Sequence, residues 1–241
     1  MGICPLALVL KAGHLSSGTC ADSGFTVANG TTTKQAGPCG KITFDDYVKP
    51  AQESTDVDIP LVTFDGNPLT NFAWKTVDDP VMGGQSHSTW SATASDGFGT
   101  WVGHVAIVPF LKAPGFCTIR TTKSSNNQFP NVSGTNTFKM MARNNVTSQL
   151  KTFTLQVETK GGVVNGRQGT YSGNVTVPNT GQWVEVEANW SDFVFQWRGQ
   201  SVAGPSITTQ LNQIIQLGVS TSFPGKVGSF DLEIKSLSAG N

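Results

Sequence analysis

The chain has 241 residues, room for one large domain or two small ones, and its 16 basic and 16 acidic side chains cancel to a formal net charge of zero. With charged residues at only 13% and scattered, there is no basic face for nucleic acid and no polybasic patch for an anionic membrane. The abundance of Thr, Ser, Asn, Gly and Val suits a β-sandwich with polar turns, and no apolar run reaches the roughly eighteen residues of a spanning helix.

Ile3 to Leu10 is apolar, but Pro5 interrupts it and no basic residue precedes it, so it reads as part of the mature or trimmed chain and not as a signal peptide. Leu6 stands where a myristoylation motif needs Ser or Thr. Residues 1–60 show no sustained periodicity. Gly, Thr and Pro dominate up to Gly40, and an acidic piece follows through Asp45, Asp46, Glu53, Asp56 and Asp58. This stretch is predicted to be an irregular, extended arm lying on the domain or on a partner.

Of the four cysteines, Cys4, Cys20 and Cys39 fall in the arm and Cys117 lies beyond it. No Cys-x-x-Cys pair exists, which argues against a zinc or thioredoxin-like site. The clustering suits disulfide stapling in an oxidising compartment, with Cys20–Cys39 the preferred pair and Cys4 and Cys117 the other candidates. Four free thiols in a reducing compartment is the alternative. Sequons at Asn29, Asn131, Asn145, Asn174 and Asn189 allow secretion without requiring it.

From Leu61 onward short alternating runs recur. Trp74 opens a segment in which Asp78-Asp79-Pro80 reads as a turn opener, since Pro80 fixes its own φ and pushes Asp79 out of the helical region. Gly83-Gly84 then permits backbone angles or close approaches that a β-carbon forbids. Trp101, Gly103, Val105 and Ile107 share one parity; Phe153, Leu155 and Val157 repeat the pattern. Val184 and Val186 alternate with Glu185 and Glu187. Phe230, Leu232 and Ile234 alternate with Asp231, Glu233 and Lys235. Turn signals at Asp96-Gly97, Asn165-Gly166, Pro178-Asn179 and Pro224-Gly225 separate the runs, and only Leu211, Ile214 and Ile215 carry helical spacing. The prediction is an all-β, two-sheet antiparallel sandwich over 61–238. Its six Trp and fourteen Phe are expected mainly in the core, where burying one large aromatic is worth roughly 4–6 kcal/mol at about 25 cal/mol per Å².

Trp74 and Val77-Asp78-Asp79-Pro80-Val81-Met82-Gly83-Gly84-Gln85-Ser86 resemble the signature of the complex I intermediate-associated protein 30 family. Gly103-His104-Val105, Gly115-Phe116-Cys117-Thr118-Ile119-Arg120, Trp183-Val184-Glu185-Val186 with Ser191-Asp192-Phe193, Trp197-Arg198-Gly199 and Gly228 to Ile234 follow in that family's order. The resemblance covers about residues 61 to 237 and leaves the arm without a counterpart. It implies a galactose-binding-like jelly roll that is non-catalytic and helps assemble large respiratory or photosynthetic membrane complexes. The implied binding residues are Trp74, Asp78, Asp79, Met82, Gly83, Gly84 and Ser86, with Arg120, Trp197 and Arg198.

A search for chemistry supports that reading. There is no Gly-x-Ser-x-Gly elbow, no His-Glu-x-x-His and no phosphate loop, since Met82-Gly83-Gly84 lacks the following Lys and helix. The histidines are His14, His87 and His104. Ser86-His87-Ser88 is not a nucleophile–base pair, because strand neighbours face opposite ways. Glu185 and Glu187 share one solvated face and do not oppose each other across a cleft. Asp78 and Asp79 have three readings: loop-pinning acceptors, a salt-bridge partner for Arg120, or a weak calcium site. No cofactor is expected.

The function expected is therefore a protein-binding assembly factor or accessory subunit, peripheral to a membrane. Its partners would be other subunits, with no nucleic acid. The compartment would be a plastid lumen, a mitochondrion or the secretory route, an oxidising one favoured. A secreted lectin-like module that stacks glycans on Trp90 or Trp197 is the alternative.

Overall fold

The alternating runs form strands. The computed structural model describes residues 25–28, 31–34, 57–79, 83–123, 129–221 and 225–241, so Cys4, Cys20, Cys39 and Met82 lie outside the described residues. The chain divides into two units, Met1–Thr55 and Asp56–Asn241. In the first, β1 (Phe25–Ala28) pairs antiparallel with β2 (Thr31–Lys34).

The second unit holds the other strands. These are β3 (Ile59–Thr63), β4 (Trp74–Asp78), β5 (His87–Thr93), β6 (Phe98–Val105), β7 (Ile107–Val108), β8 (Ala113–Pro114), β9 (Cys117–Thr121), β10 (Thr137–Asn144) and β11 (Thr152–Thr159). They continue as β12 (Val163–Val164), β13 (Arg167–Gln168), β14 (Thr170–Thr176), β15 (Val184–Asn189), β16 (Val194–Trp197), β17 (Gln200–Ser201), β18 (Ile214–Thr221) and β19 (Gly228–Gly240). Two large antiparallel sheets result, the two-sheet jelly-roll sandwich read from the sequence. One runs β15-β10-β19-β6-β5, with β3 also on β19, and the other runs β17-β16-β14-β11-β18-β9-β4.

β19 organises the first sheet. Its first half pairs with β6, its second half with β3, and its other edge with β10 across a bulge at Met141/Ala142. Phe230, Leu232 and Ile234 point inward and are buried, while Asp231, Glu233 and Lys235 face out. Inward residues of β11 (Phe153, Leu155, Val157) answer from the second sheet. Trp101 bridges the layers: fully buried, its ring lies 4.5 Å from that of Phe230 and 6.2 Å from that of Phe153.

Two expectations of parity and period fail locally. Ile107 does not continue the inward face of Trp101 and Val105, because β6 ends at Val105 and the chain restarts at β7 with Ile107 exposed. The helical spacing of Leu211, Ile214 and Ile215 yields only a 3₁₀ turn at Ile207–Thr209, after which Ile214 opens β18. Leu211 and Ile214 are buried either way, so burial alone accounts for their spacing. Among the described residues no helix is long and apolar enough to cross a membrane.

Candidate functional site

β4 ends at Asp78, and the two acids that follow one another there each grip a serine. The Ser88 amide and hydroxyl donate to Asp78 at 2.6 and 2.8 Å. The Ser86 amide donates to Asp79 Oδ1 at 2.9 Å, and the Ser86 hydroxyl to Oδ2 at 2.7 Å. Asp79 is 1% exposed. A buried carboxylate is costly unless donors surround it. Here a third donor, the Phe116 amide, reaches Oδ2 at 3.3 Å.

These bonds fasten one loop to another. Ser86 Oγ accepts from the Ala106 amide at 3.0 Å, and the Asp79 amide donates to the Phe116 carbonyl at 3.3 Å. The Gly115 amide donates to the Ala106 carbonyl at 2.8 Å. The base of the segment 106–116 is thereby held on both sides by Asp79, directly at Phe116 and through Ser86 at Ala106. Two glycines make the approach possible. A β-carbon on Gly84 would lie 2.2 Å from Asp79 Cγ, and one on Gly115 1.4 Å from Asp79 Oδ2.

The clamped segment projects a small apolar hairpin. β7 and β8 pair as Ile107↔Pro114 and Val108↔Ala113, and the Val108 carbonyl accepts from the Leu111 and Lys112 amides. Val108 is buried, yet Phe110 is 66% exposed, Leu111 52% and Ile107 44%. Gly83, at φ +75°, brings the signature loop beside this tip, since a β-carbon there would lie 3.9 Å from the Phe110 ring. Adjacent exposed side chains of this kind form a patch, unlike an isolated surface leucine.

Trp74 does not face solvent alone. Its ring lies 5.2 Å from Trp90 and 6.3 Å from Phe64, and Trp90 lies 5.7 Å from Phe64, so two half-buried indoles and the buried Phe64 make one aromatic cluster. Arg120 does not join Asp78 and Asp79. In the β4–β9 register it stands opposite Lys75, whereas Cys117 stands opposite Asp78, and its guanidinium reaches Glu158 at 3.8 Å. Glu158 also pairs with Lys123 at 2.5 Å. The salt-bridge reading of the acid pair is thus corrected by register.

Trp197 and Arg198 lie on the β16–β17 hairpin, at the edge of the second sheet opposite β4. The structure therefore brings together Trp74, Asp78, Asp79, Gly83, Gly84 and Ser86, and separates them from Trp197 and Arg198.

Cys117 is a free, buried thiol whose Sγ donates to the His104 carbonyl at 3.7 Å, which removes it from the disulfide candidates. Burial pushes its ionisation well above the ordinary thiol range, and the Asp78 charge pushes it further. His87 and His104 are cross-strand partners with rings 6.2 Å apart, and His104 Nδ1 is hydrogen-bonded to Ser229 Oγ at 3.0 Å. The hydroxyls of Ser86 and Ser88 that flank His87 in sequence are not available to it, because both are committed to the acids. Among the described residues no group of three or more His, Cys, Asp or Glu side chains could hold a metal ion, and the oxygens of Asp78 and Asp79 are already engaged by serine donors.

The signal that sequence reading missed is the hairpin. Phe110-Leu111-Lys112 carries no motif, and its exposure follows only from the clamp beneath it.

No curated protein matches the sequence significantly. Similar solved structures include the family 11 carbohydrate-binding module of the cellulosomal cellulase Lic26A-Cel5E of Clostridium thermocellum, at 10% identity and TM-score 0.49 over 76% of this chain and 95% of that one. The Clostridium thermocellum module in complex with a beta-1,3-1,4-mixed-linked tetrasaccharide is similar at 10% identity and TM-score 0.45, over 70% and 88%. The solution structure of CtCBM11 is similar at 12% identity and TM-score 0.49, over 76% and 96%. Likeness at this level carries no ligand across. The profile of Complex I intermediate-associated protein 30 (CIA30) matches residues 62–234, from β3 into β19, and so spans the signature loop, its clamp and both large sheets. The chain belongs to the Complex I intermediate-associated protein 30 family.

Proposed function

We propose that the protein is a non-catalytic binding module that serves the assembly of a large respiratory or photosynthetic membrane complex, as an assembly factor or accessory subunit in an organelle. Family membership supports the assembly role. One observation carries the binding role: the signature residues spend their polar groups on one another, and what they hold out to solvent is the apolar tip Ile107, Phe110 and Leu111. A catalytic loop would keep its acids and hydroxyls free for substrate. Here the chemistry is structural, and the exposed product is a contact surface.

A glycan-binding reading lacks comparable support. Trp90 packs on Phe64 and Trp74, and Trp197 carries two guanidinium groups within 5.1 Å of its ring centre, so neither offers a bare ring for a sugar.

The test is isolation from the native source in mild detergent, followed by mass spectrometry of whatever co-migrates in a native gel. Co-migration with respiratory or photosynthetic subunits, lost in a Phe110→Asp/Leu111→Asp variant that remains folded, is the expected result. Migration alone at monomer mass, or with polysaccharide, would overturn the proposal.

A further inference from the structure

The edge of the second sheet opposite the signature loop carries its own constellation. Trp197 is half-buried, and its ring is stacked by two guanidiniums, Arg167 at 5.1 Å and Arg198 at 4.8 Å. Two separate tight turns deliver them. Asn165-Gly166, at φ 48° and 73°, closes the β12–β13 hairpin that bears Arg167. Arg198-Gly199, at φ 52° and 75°, closes β16–β17.

The first turn uses the Asn-Gly pair that such a backbone favours. The second places an arginine in the left-handed region, where Gly, Asn or Asp is the low-cost choice. An unfavourable residue held at a turn points to a use for its side chain. Among the described residues neither guanidinium has a salt bridge, although Arg120, Lys123, Lys139 and Arg143 all do.

We infer that Arg167, Trp197 and Arg198 form a docking site for an extended acidic segment of a partner protein. Two unpaired, pre-stacked guanidiniums are arranged to take carboxylates, and the indole holds both forks in place. Trp and Arg together are the residues that most often dominate contact energies. The neighbouring strand favours a polypeptide over a phosphate or a lipid headgroup. Among the described residues β17 is the terminal strand of its sheet, and Gln200 and Ser201 are exposed, so a sheet edge to which an extended chain can add lies beside the two cations. Nucleic acid would need a broader basic surface than two arginines on a chain of zero net charge.

This site rests on the protein-binding reading above but uses a different surface, so the two fail separately. The experiment is a fluorescence-anisotropy titration of a labelled hexaglutamate peptide with the full chain at low salt. Saturable binding is expected, weakened by roughly fivefold in Arg167→Gln and in Arg198→Gly and reduced at high salt, with Phe110→Asp/Leu111→Asp unchanged. Arg198→Gly also relieves the turn, so its thermal midpoint should rise while its binding falls. A purely structural turn would give the first change without the second. No saturable binding, binding indifferent to both arginines, or Arg-dependent pelleting with phosphatidylserine vesicles in place of peptide binding would each overturn the inference.

Discussion

Asp79 and Ser86, seven residues apart, are joined by two hydrogen bonds in the buried base of the signature loop, from the serine amide at 2.9 Å and its hydroxyl at 2.7 Å. The pair closes the loop and passes its grip to Ala106 and Phe116, so a local sequence motif fixes a distant hairpin.

Asp79→Ala should therefore cost about 3 kcal/mol, because it strands buried donors on Ser86 and Phe116. Ser86→Ala should cost about 1–2 kcal/mol by leaving the Ala106 amide without its acceptor. The double variant should lose less than the sum, by about 1 kcal/mol or more, since the two side chains form one unit. Urea denaturation of the four proteins measures this, and strict additivity would show that the clamp does not act as one.

Gly115→Ala probes the same clamp through space. The added β-carbon would meet Asp79 Oδ2 at 1.4 Å, and that oxygen is fixed by two donors and its carboxylate by a third on Oδ1, so it cannot swing away cheaply. The expected loss is about 3 kcal/mol or more, in the range of severe overpacking. Gly134→Ala, where nothing lies within 4 Å of the new carbon, is the control and should be near neutral. Similar midpoints for the two variants would refute the crowding argument.

Cys117 predicts a pH dependence. Its thiol is held protonated by burial, and then by the Asp78 charge, far above the ordinary 9.0 that an unfolded chain would show. Above about pH 9 the unfolded state therefore binds fewer protons than the folded one, and stability falls as pH rises, with a slope approaching about 1.4 kcal/mol per unit. Below pH 9 the contribution is fully present. Tyr171, also raised by burial, adds a parallel loss. Cys117→Ala should remove the cysteine's share, so alkaline stability profiles of the two proteins should converge above pH 9. Parallel profiles would contradict the assignment. The native thiol should also resist alkylation at pH 8 until the chain unfolds.

The strands were legible because burial on one face imposes period two, as in Phe230-Asp231-Leu232-Glu233-Ile234. The need for glycine at Gly84 was legible for an equally local reason, whereas the turn read from Asp78-Asp79-Pro80 hinges on Pro80, which lies outside the described residues. What escaped is relational. Nothing in the spacing of Asp79, Ala106 and Phe116 announces that they meet, because loop closure in space has no period. The choice among the three readings of Asp78 and Asp79 was hidden for the same reason, since only the β4–β9 register sets Arg120 opposite Lys75 and away from them. Ile107 left the face of Trp101 because one residue, Ala106, interrupts the pleat. The stacking of Arg167 on Trp197 links two hairpins and has no trace in either one alone.

The two most buried tryptophans should respond differently to the same change. Trp101 is enclosed by Phe230 and Phe153, and among the described residues its Nε1 has no hydrogen-bond partner. Trp190 is stacked on Phe138 at 5.3 Å and donates from Nε1 to Thr135 Oγ1 at 2.9 Å. Replacement by alanine should cost about 3–5 kcal/mol at either site. Replacement by phenylalanine separates them. At Trp101 the lost volume is partly offset by removing an N–H that was desolvated without compensation. At Trp190 a satisfied bond is lost as well, and Thr135 loses a partner, which adds about 1 kcal/mol. Trp190→Phe should therefore be the more damaging of the two in urea denaturation. The reverse order would mean that the Trp101 indole N–H finds a partner, such as a bound water, that offsets its burial.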